Sequence, residues 1–120
     1  MIKILVADDS MFMRKILTGI LNNAGYNKII EAASGIEAIK KFKSDKPDLV
    51  LLDIIMEGKD GIETLKTIRA MSKTAKIIMV TAVGQDLIIN EAKNAGCSAY
   101  IVKPFDEKDV IDIVKKILSN

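Results

Sequence analysis

Residues 47–56 read Pro47-Asp48-Leu49-Val50-Leu51-Leu52-Asp53-Ile54-Ile55-Met56, four consecutive branched aliphatics fenced by acids. A half-exposed strand alternates apolar and polar residues; an unbroken apolar run of this length belongs to a strand covered on both faces, as in a parallel sheet. Pro47 prevents any preceding helix from running into it. Asp53 then breaks the apolar run where the strand must end.

Working outward, short apolar runs recur, nearly unbroken in the first and fourth expected strands as in this third one. Strands are expected over Ile2–Ala7, Lys28–Ala32, Asp48–Asp53, Lys76–Ala82 and Ala99–Val102. Between them lie segments of helical period, Met11–Ala24, Gly35–Ser44, Gly61–Met71, Gln85–Ala95 and Glu107–Leu118. Ser34 with Glu37 has the spacing of a capping box, and Asp106 with Asp109 a similar one. Gly25 and Gly96 each follow an alanine where a helix must end in a left-handed residue. In the last segment Val110, Ile113, Val114 and Ile117 trace one apolar stripe. Strict strand–helix alternation with short links predicts an α/β fold, a doubly wound parallel sheet of five strands with helices on both faces. With 120 residues the chain is too short for an eight-stranded barrel, and we expect one domain over residues 1–120, a complete single-domain protein.

Composition narrows the function. The 18 basic and 16 acidic residues leave a net charge of +2 and are spread along the chain, without a polybasic block, so no nucleic-acid partner is expected. No apolar run approaches the ~18–20 residues of a membrane span, and the N-terminus does not read as a signal peptide, so a cytoplasmic location is expected. With no histidine, His-dependent nucleophilic catalysis and His-ligated zinc are out of reach. Cys97, the single cysteine, excludes an internal disulfide and reads as a small buried thiol.

The polar residues that interrupt the apolar runs are the informative ones. Asp8 and Asp9 follow the first strand, Asp53 ends the third, Thr81 lies near the end of the fourth and Lys103 follows the fifth. In a parallel sheet these ends share one edge, where ligands bind at the point at which strand order reverses. Singly, each has a bland explanation. Asp8, Asp9 or Ser10 can cap the first helix, Thr81 suits a strand, and Lys103 suits a surface. Together, three carboxylates would repel and raise one another's pKa unless a divalent cation joined them. Oxygen donors without His or Cys favour Mg²⁺, Mn²⁺ or Ca²⁺ over zinc, and few protein ligands is the Mg²⁺ habit. Such a site can leave one carboxylate ionised as a nucleophile toward a phosphoryl group.

The pieces Leu5-Val6-Ala7-Asp8-Asp9-Ser10, Asp48 through Met56, Val80-Thr81-Ala82 and Tyr100-Ile101-Val102-Lys103-Pro104-Phe105 resemble the receiver domains of two-component response regulators. The likeness covers residues 2–118, and Asp8-Asp9-Ser10-Met11-Phe12-Met13-Arg14 further resembles chemotaxis regulators of the CheY type. The resemblance implies a flavodoxin-like strand order 2-1-3-4-5. It also implies a phosphorylation-activated switch rather than an enzyme with turnover, catalysing only its own phosphorylation and dephosphorylation. Asp53 would be the phosphoryl acceptor. Asp9, Asp8 (partly through water), Asp53 and the backbone carbonyl of Ile55 would hold Mg²⁺. Lys103 would contact the phosphoryl group, the Lys103–Pro104 bond would be cis, and Thr81 and Tyr100 would carry the switch. Implied partners are a histidine kinase (CheA-like) as phosphodonor, a downstream motor or adaptor protein, and a phosphatase.

The chain departs from the pattern at Glu57, where the family usually has proline, and at Ile55 and Val83, often polar in the family. Leu87-Ile88-Ile89 has more apolar residues than one buried stripe needs: either the helix is generously buried, or Ile89, or Leu87, is exposed beside Tyr100 on a partner face. Two rival readings meet specific obstacles. A flavin-binding module would need a hydroxyl-rich loop where Asp8-Asp9 would repel the phosphate. An aspartyl phosphohydrolase would usually carry a second acid where this chain has Ile55.

Overall fold

The computed structural model describes residues 1–56, 60–82 and 86–119. Glu57, Val83 and Gln85, each named above, lie outside the described residues. The chain alternates β1 (Lys3–Ala7), α1 (Met11–Asn23), β2 (Lys28–Ala32), α2 (Gly35–Asp45), β3 (Leu49–Asp53), α3 (Gly61–Met71), β4 (Ile77–Ala82), α4 (Asp86–Asn94), β5 (Ala99–Lys103) and α5 (Glu107–Leu118). Expected boundaries shift by a residue or so where capping residues replace regular structure. Asp48, for instance, lies just outside β3, its carboxylate accepting from the Lys3 backbone N–H at 2.8 Å.

All pairings are parallel and the order is β2-β1-β3-β4-β5. Because strand residues alternate faces, each run feeds two cores. Leu5, Val50, Leu52, Ile77 and Met79 face α2, α3 and α4 through Ala38, Leu65, Ile68 and Ala92. Ile4, Val6, Leu49, Leu51, Ile78 and Ile101 face α1 and α5 through Leu17, Leu21, Val110, Val114 and Ile117. Complete burial of each such side chain contributes about 1.5–3 kcal/mol before chain entropy is set against it. The chain therefore steps from β1 to one side for β2 and to the other for β3, which opens a crevice between the C-terminal ends of β1 and β3.

Helix termini follow the sequence with two exceptions. Ser34 Oγ accepts from the Glu37 N–H, while the Glu37 carboxylate reaches back to the Ala33 N–H. Gly25 and Gly96 adopt φ of 95° and 96°. The expected box at Asp106 and Asp109 does not form: Asp106 is the N-cap residue of α5 but makes no capping bond from its side chain. The first turn of α5 instead carries Glu107 and Asp109, whose charge suits the positive end of the helix. Asp60, not anticipated as a cap, accepts from the Glu63 N–H at 2.8 Å and starts α3.

Gly61 brings α3 hard against the end of β3. Its N–H donates to the Ile54 carbonyl at 2.6 Å, and a Cβ there would stand 2.2 Å from the Asp53 carbonyl oxygen. Gly19, inside α1, has nothing within 4 Å of the same position. Opposite outcomes follow for one chemical change. Gly19→Ala should raise stability by about 1 kcal/mol through helix propensity, whereas Gly61→Ala should lower it by about 2 kcal/mol because backbone must move. Urea unfolding of both variants measures the pair.

Candidate functional site

Register places the candidate residues side by side. Ala7 pairs with Leu52, so Asp8 comes level with Asp53 one step further on. Asp53 pairs with Val80, Thr81 with Val102 and Ala82 with Lys103. Asp8, Asp9, Asp53, Thr81 and Lys103 thus all reach the C-terminal edge of the sheet, around the β1/β3 crevice.

Ser10 settles the bland explanation for the two acids after β1. It is the N-cap of α1, its Oγ accepting from the Met13 N–H at 3.2 Å, so neither Asp8 nor Asp9 is needed there. Asp8 Oδ1 accepts from the Ser10 N–H at 2.9 Å. Its other oxygen, Oδ2, is buried with no hydrogen-bond partner among the described residues. Carboxylate oxygens of Asp8, Asp9 and Asp53 all lie within 4.8 Å of one another. Asp8 is 1% exposed and Asp53 8%, while Asp9 is exposed.

Compensation from the protein is slight. Lys103 Nζ stands 3.8 Å from Asp53 Oδ2, an ion pair too long for a strong hydrogen bond, and the Ile55 N–H donates to Asp53 Oδ1 at 3.4 Å. Burial raises the Asp53 carboxyl to about 6, with the neighbouring Asp8 charge adding to it and Lys103 opposing. Burial likewise raises Asp8, against the Ser10 N–H bond that lowers it. A hard divalent cation fits this donor set. It would meet oxygens only, balance like charges, and satisfy the orphaned Asp8 Oδ2.

The Lys103–Pro104 bond is cis, as the resemblance implies. Thr81 is buried, Ile55 turns its side chain outward (61% exposed), and Met11 and Phe12 at the start of α1 are exposed as well. Of the two residues expected to be exposed on a partner face, Leu87 is the one that reaches solvent. Leu87 is 85% exposed, Ile89 is only half-buried, and Ile88 packs on the core. Tyr100 is half-buried, with Lys93 Nζ 5.1 Å from its ring centre. Cys97 is half-buried rather than buried. A cleft of about 470 Å³ lies between Ile2, Pro47, Lys76 and Leu118 and contains none of the candidate residues.

Sequence reasoning missed Arg14 as a site residue. Its guanidinium donates to the Asp8 carbonyl at 2.7 Å and to Glu31 Oε1 at 3.0 Å. The available signal was an arginine one helical turn beyond the N-cap, in a chain whose only other arginine is Arg69.

Residues 4–115 match the model of the response regulator receiver domain family. The chain is 40% identical to the chemotaxis protein CheY of Listeria monocytogenes over 97% of its own length and 98% of that protein. It is 41% identical to CheY of Thermotoga maritima over 96% of each. A crystal structure of a two-component response regulator from Clostridium difficile superposes with a TM-score of 0.92 at 34% identity, covering 100% of this chain and 98% of that one.

Without a divalent cation the crowded carboxylates cost stability in a pH-dependent way. Asp53 is raised from 3.8 to about 6, so its cost is absent below the unfolded pKa and is complete once pH exceeds the folded value. In chelator, Asp53→Asn should therefore be more stable than wild type by about 3 kcal/mol at pH 7.5, from about two pKa units. The gain should shrink toward zero near pH 4. Urea unfolding at both pH values checks the size and the sign.

Proposed function

The chain belongs to the response regulator receiver domain family, and on that footing we propose that it is a CheY-type switch turned on by phosphorylation of Asp53. Receiver domains work with histidine kinases and downstream targets. The observation that carries the reading for this chain is the convergence of Asp8, Asp9 and Lys103 on the Asp53 carboxylate. An Asp53 oxygen attacks the phosphorus of the donor, a phosphohistidine on a CheA-like kinase. The new O–P bond forms as the P–N bond breaks and the imidazole leaves with its electron pair. Lys103 is 3.8 Å from Asp53 before transfer, well placed to contact the added phosphoryl oxygens. Asp8, Asp9, Asp53 and the Ile55 carbonyl are the residues that would hold Mg²⁺. When bound, Mg²⁺ supplies charge neutralisation to the carboxylates and to the phosphoryl group.

Thr81, buried at the end of β4, is the hydroxyl that follows the phosphoryl group, and Tyr100 on the neighbouring strand carries the change to a partner face with Leu87 and Ile89. Only the difference in contacts between the two states can drive that shift. The chemotaxis role, with a motor or adaptor protein as target, is supported by the similarity to chemotaxis proteins over nearly the whole chain. Among the described residues no helix is long and apolar enough to cross a membrane, in keeping with a cytoplasmic site of action. The only reactions catalysed are the chain's own phosphorylation and dephosphorylation.

With acetyl phosphate and Mg²⁺, intact mass should show one phosphoryl adduct, lost in Asp53→Asn and lost in chelator. An undiminished adduct in the variant contradicts the assignment. Thr81→Ala should keep the adduct but weaken the response of partner affinity to it. Partner affinity that responds undiminished in that variant contradicts the coupling.

The Ile55 side chain is exposed and cannot hold a water in line with the acyl phosphate. The lifetime of phospho-Asp53 should therefore be long, and Ile55→Asn should shorten it, by a factor of up to about 10². An unchanged lifetime would mean that Ile55 has no part in hydrolysis.

A further inference from the structure

The Arg14 side chain is only 13% exposed, although it carries a full charge. Three observations define what it does. It donates to the Asp8 carbonyl, the oxygen of the peptide that joins Asp8 to Asp9. Through Nε it pairs with Glu31 on β2, so the guanidinium is anchored from the sheet rather than from its own helix. On the other side of that peptide, the Asp8 N–H donates to the Ala32 carbonyl at 3.0 Å and the Ser10 N–H to Asp8 Oδ1. The loop is thus held at both faces of Asp8, and Arg14 supplies the bond to the carbonyl of the Asp8–Asp9 peptide.

Such a bond bears directly on Asp9. Its carboxylate is exposed yet lies within 4.8 Å of two buried ones, and rotation of the preceding peptide would relieve the repulsion. We propose that Arg14 is a positioning residue of the acidic site, its guanidinium fork bridging Glu31 and the Asp8–Asp9 peptide to hold Asp9 in the cation-binding arrangement. The inference rests on the divalent-cation reading of Asp8, Asp9 and Asp53 given above.

Charge and positioning make opposite demands on the same substitution. Arg14 is a fixed positive charge beside a site for a cation, so by charge alone its removal should tighten cation binding. If it orients the loop, removal should weaken binding, as loss of groups that orient metal ligands commonly does by a factor of about 10–100. Lysine separates the two again. It retains the charge, but a single ammonium centre cannot reproduce the planar fork that spans carboxylate and carbonyl.

Mg²⁺ titrated calorimetrically into the full chain at pH 7.5 tests this without any phosphoryl transfer, with unfolding in chelator as the check on folding. Wild type should bind one ion, and both Arg14→Ala and Arg14→Lys should bind about tenfold more weakly. Arg14→Lys, with its charge and helix propensity retained, decides the matter if the alanine variant does not fold. Equal or tighter binding by Arg14→Ala overturns the proposal, as does wild-type affinity in Arg14→Lys. A wild-type chain that binds no ion overturns the cation reading itself and this inference with it.

Discussion

Mutual repulsion of three carboxylates at the mouth of a parallel sheet is the constraint around which this structure is organised. Asp8 and Asp53 are buried, Asp9 sits over them, and one lysine at 3.8 Å is the cation the protein brings to Asp53. Burial removes the water that would screen the charges, so each carboxylate raises the free energy of the others. A fold selected for stability alone would not keep this arrangement. It is tolerable because the apolar cores beneath it carry the stability, and useful because its unfavourable charge can be discharged by a cation and a phosphoryl group.

The scaffold supplies the rigidity that such a site requires. Asp53 is the last residue of a strand buried on both faces, and Gly61 packs α3 against its carbonyl with no room for a Cβ. Lys103 ends β5, so both charges that meet over the crevice are presented by hydrogen-bonded strands. Asp8 and Asp9, by contrast, lie on a loop, held by Ser10, Ala32 and Arg14. The switch point between β1 and β3 brings the rigid acid and the loop acids together.

Much of this was legible in the residues. The unbroken aliphatic run at Leu49–Leu52 required a strand covered on both faces, and five short apolar segments, the first, third and fourth nearly unbroken, alternating with helical segments allowed little but an open α/β sheet. Asp8, Asp53 and Lys103 were conspicuous because they interrupt or end apolar runs. The strand order itself came through family resemblance, since no local signal distinguishes which strand neighbours β1. Two kinds of feature stayed hidden. Capping depends on side-chain rotamers, so Asp60 caps α3 while Asp106, with an equally good sequence signature, makes no capping bond. Tertiary contacts of long side chains are not periodic, so Arg14 bonding to the Asp8 carbonyl, and Ile89 lying half-buried where Leu87 is exposed, could emerge only from the folded geometry.

Direct titration of the Asp53 carboxyl carbon by ¹³C NMR, with and without Mg²⁺, tests the central claim most closely. In chelator the resonance should titrate near pH 6, because burial and the Asp8 charge disfavour the ionised form. Saturating Mg²⁺ should pull the midpoint below the ordinary aspartate value of about 4. A midpoint near 4 in chelator, unmoved by the cation, would mean that the three carboxylates are neither in conflict nor joined by a metal.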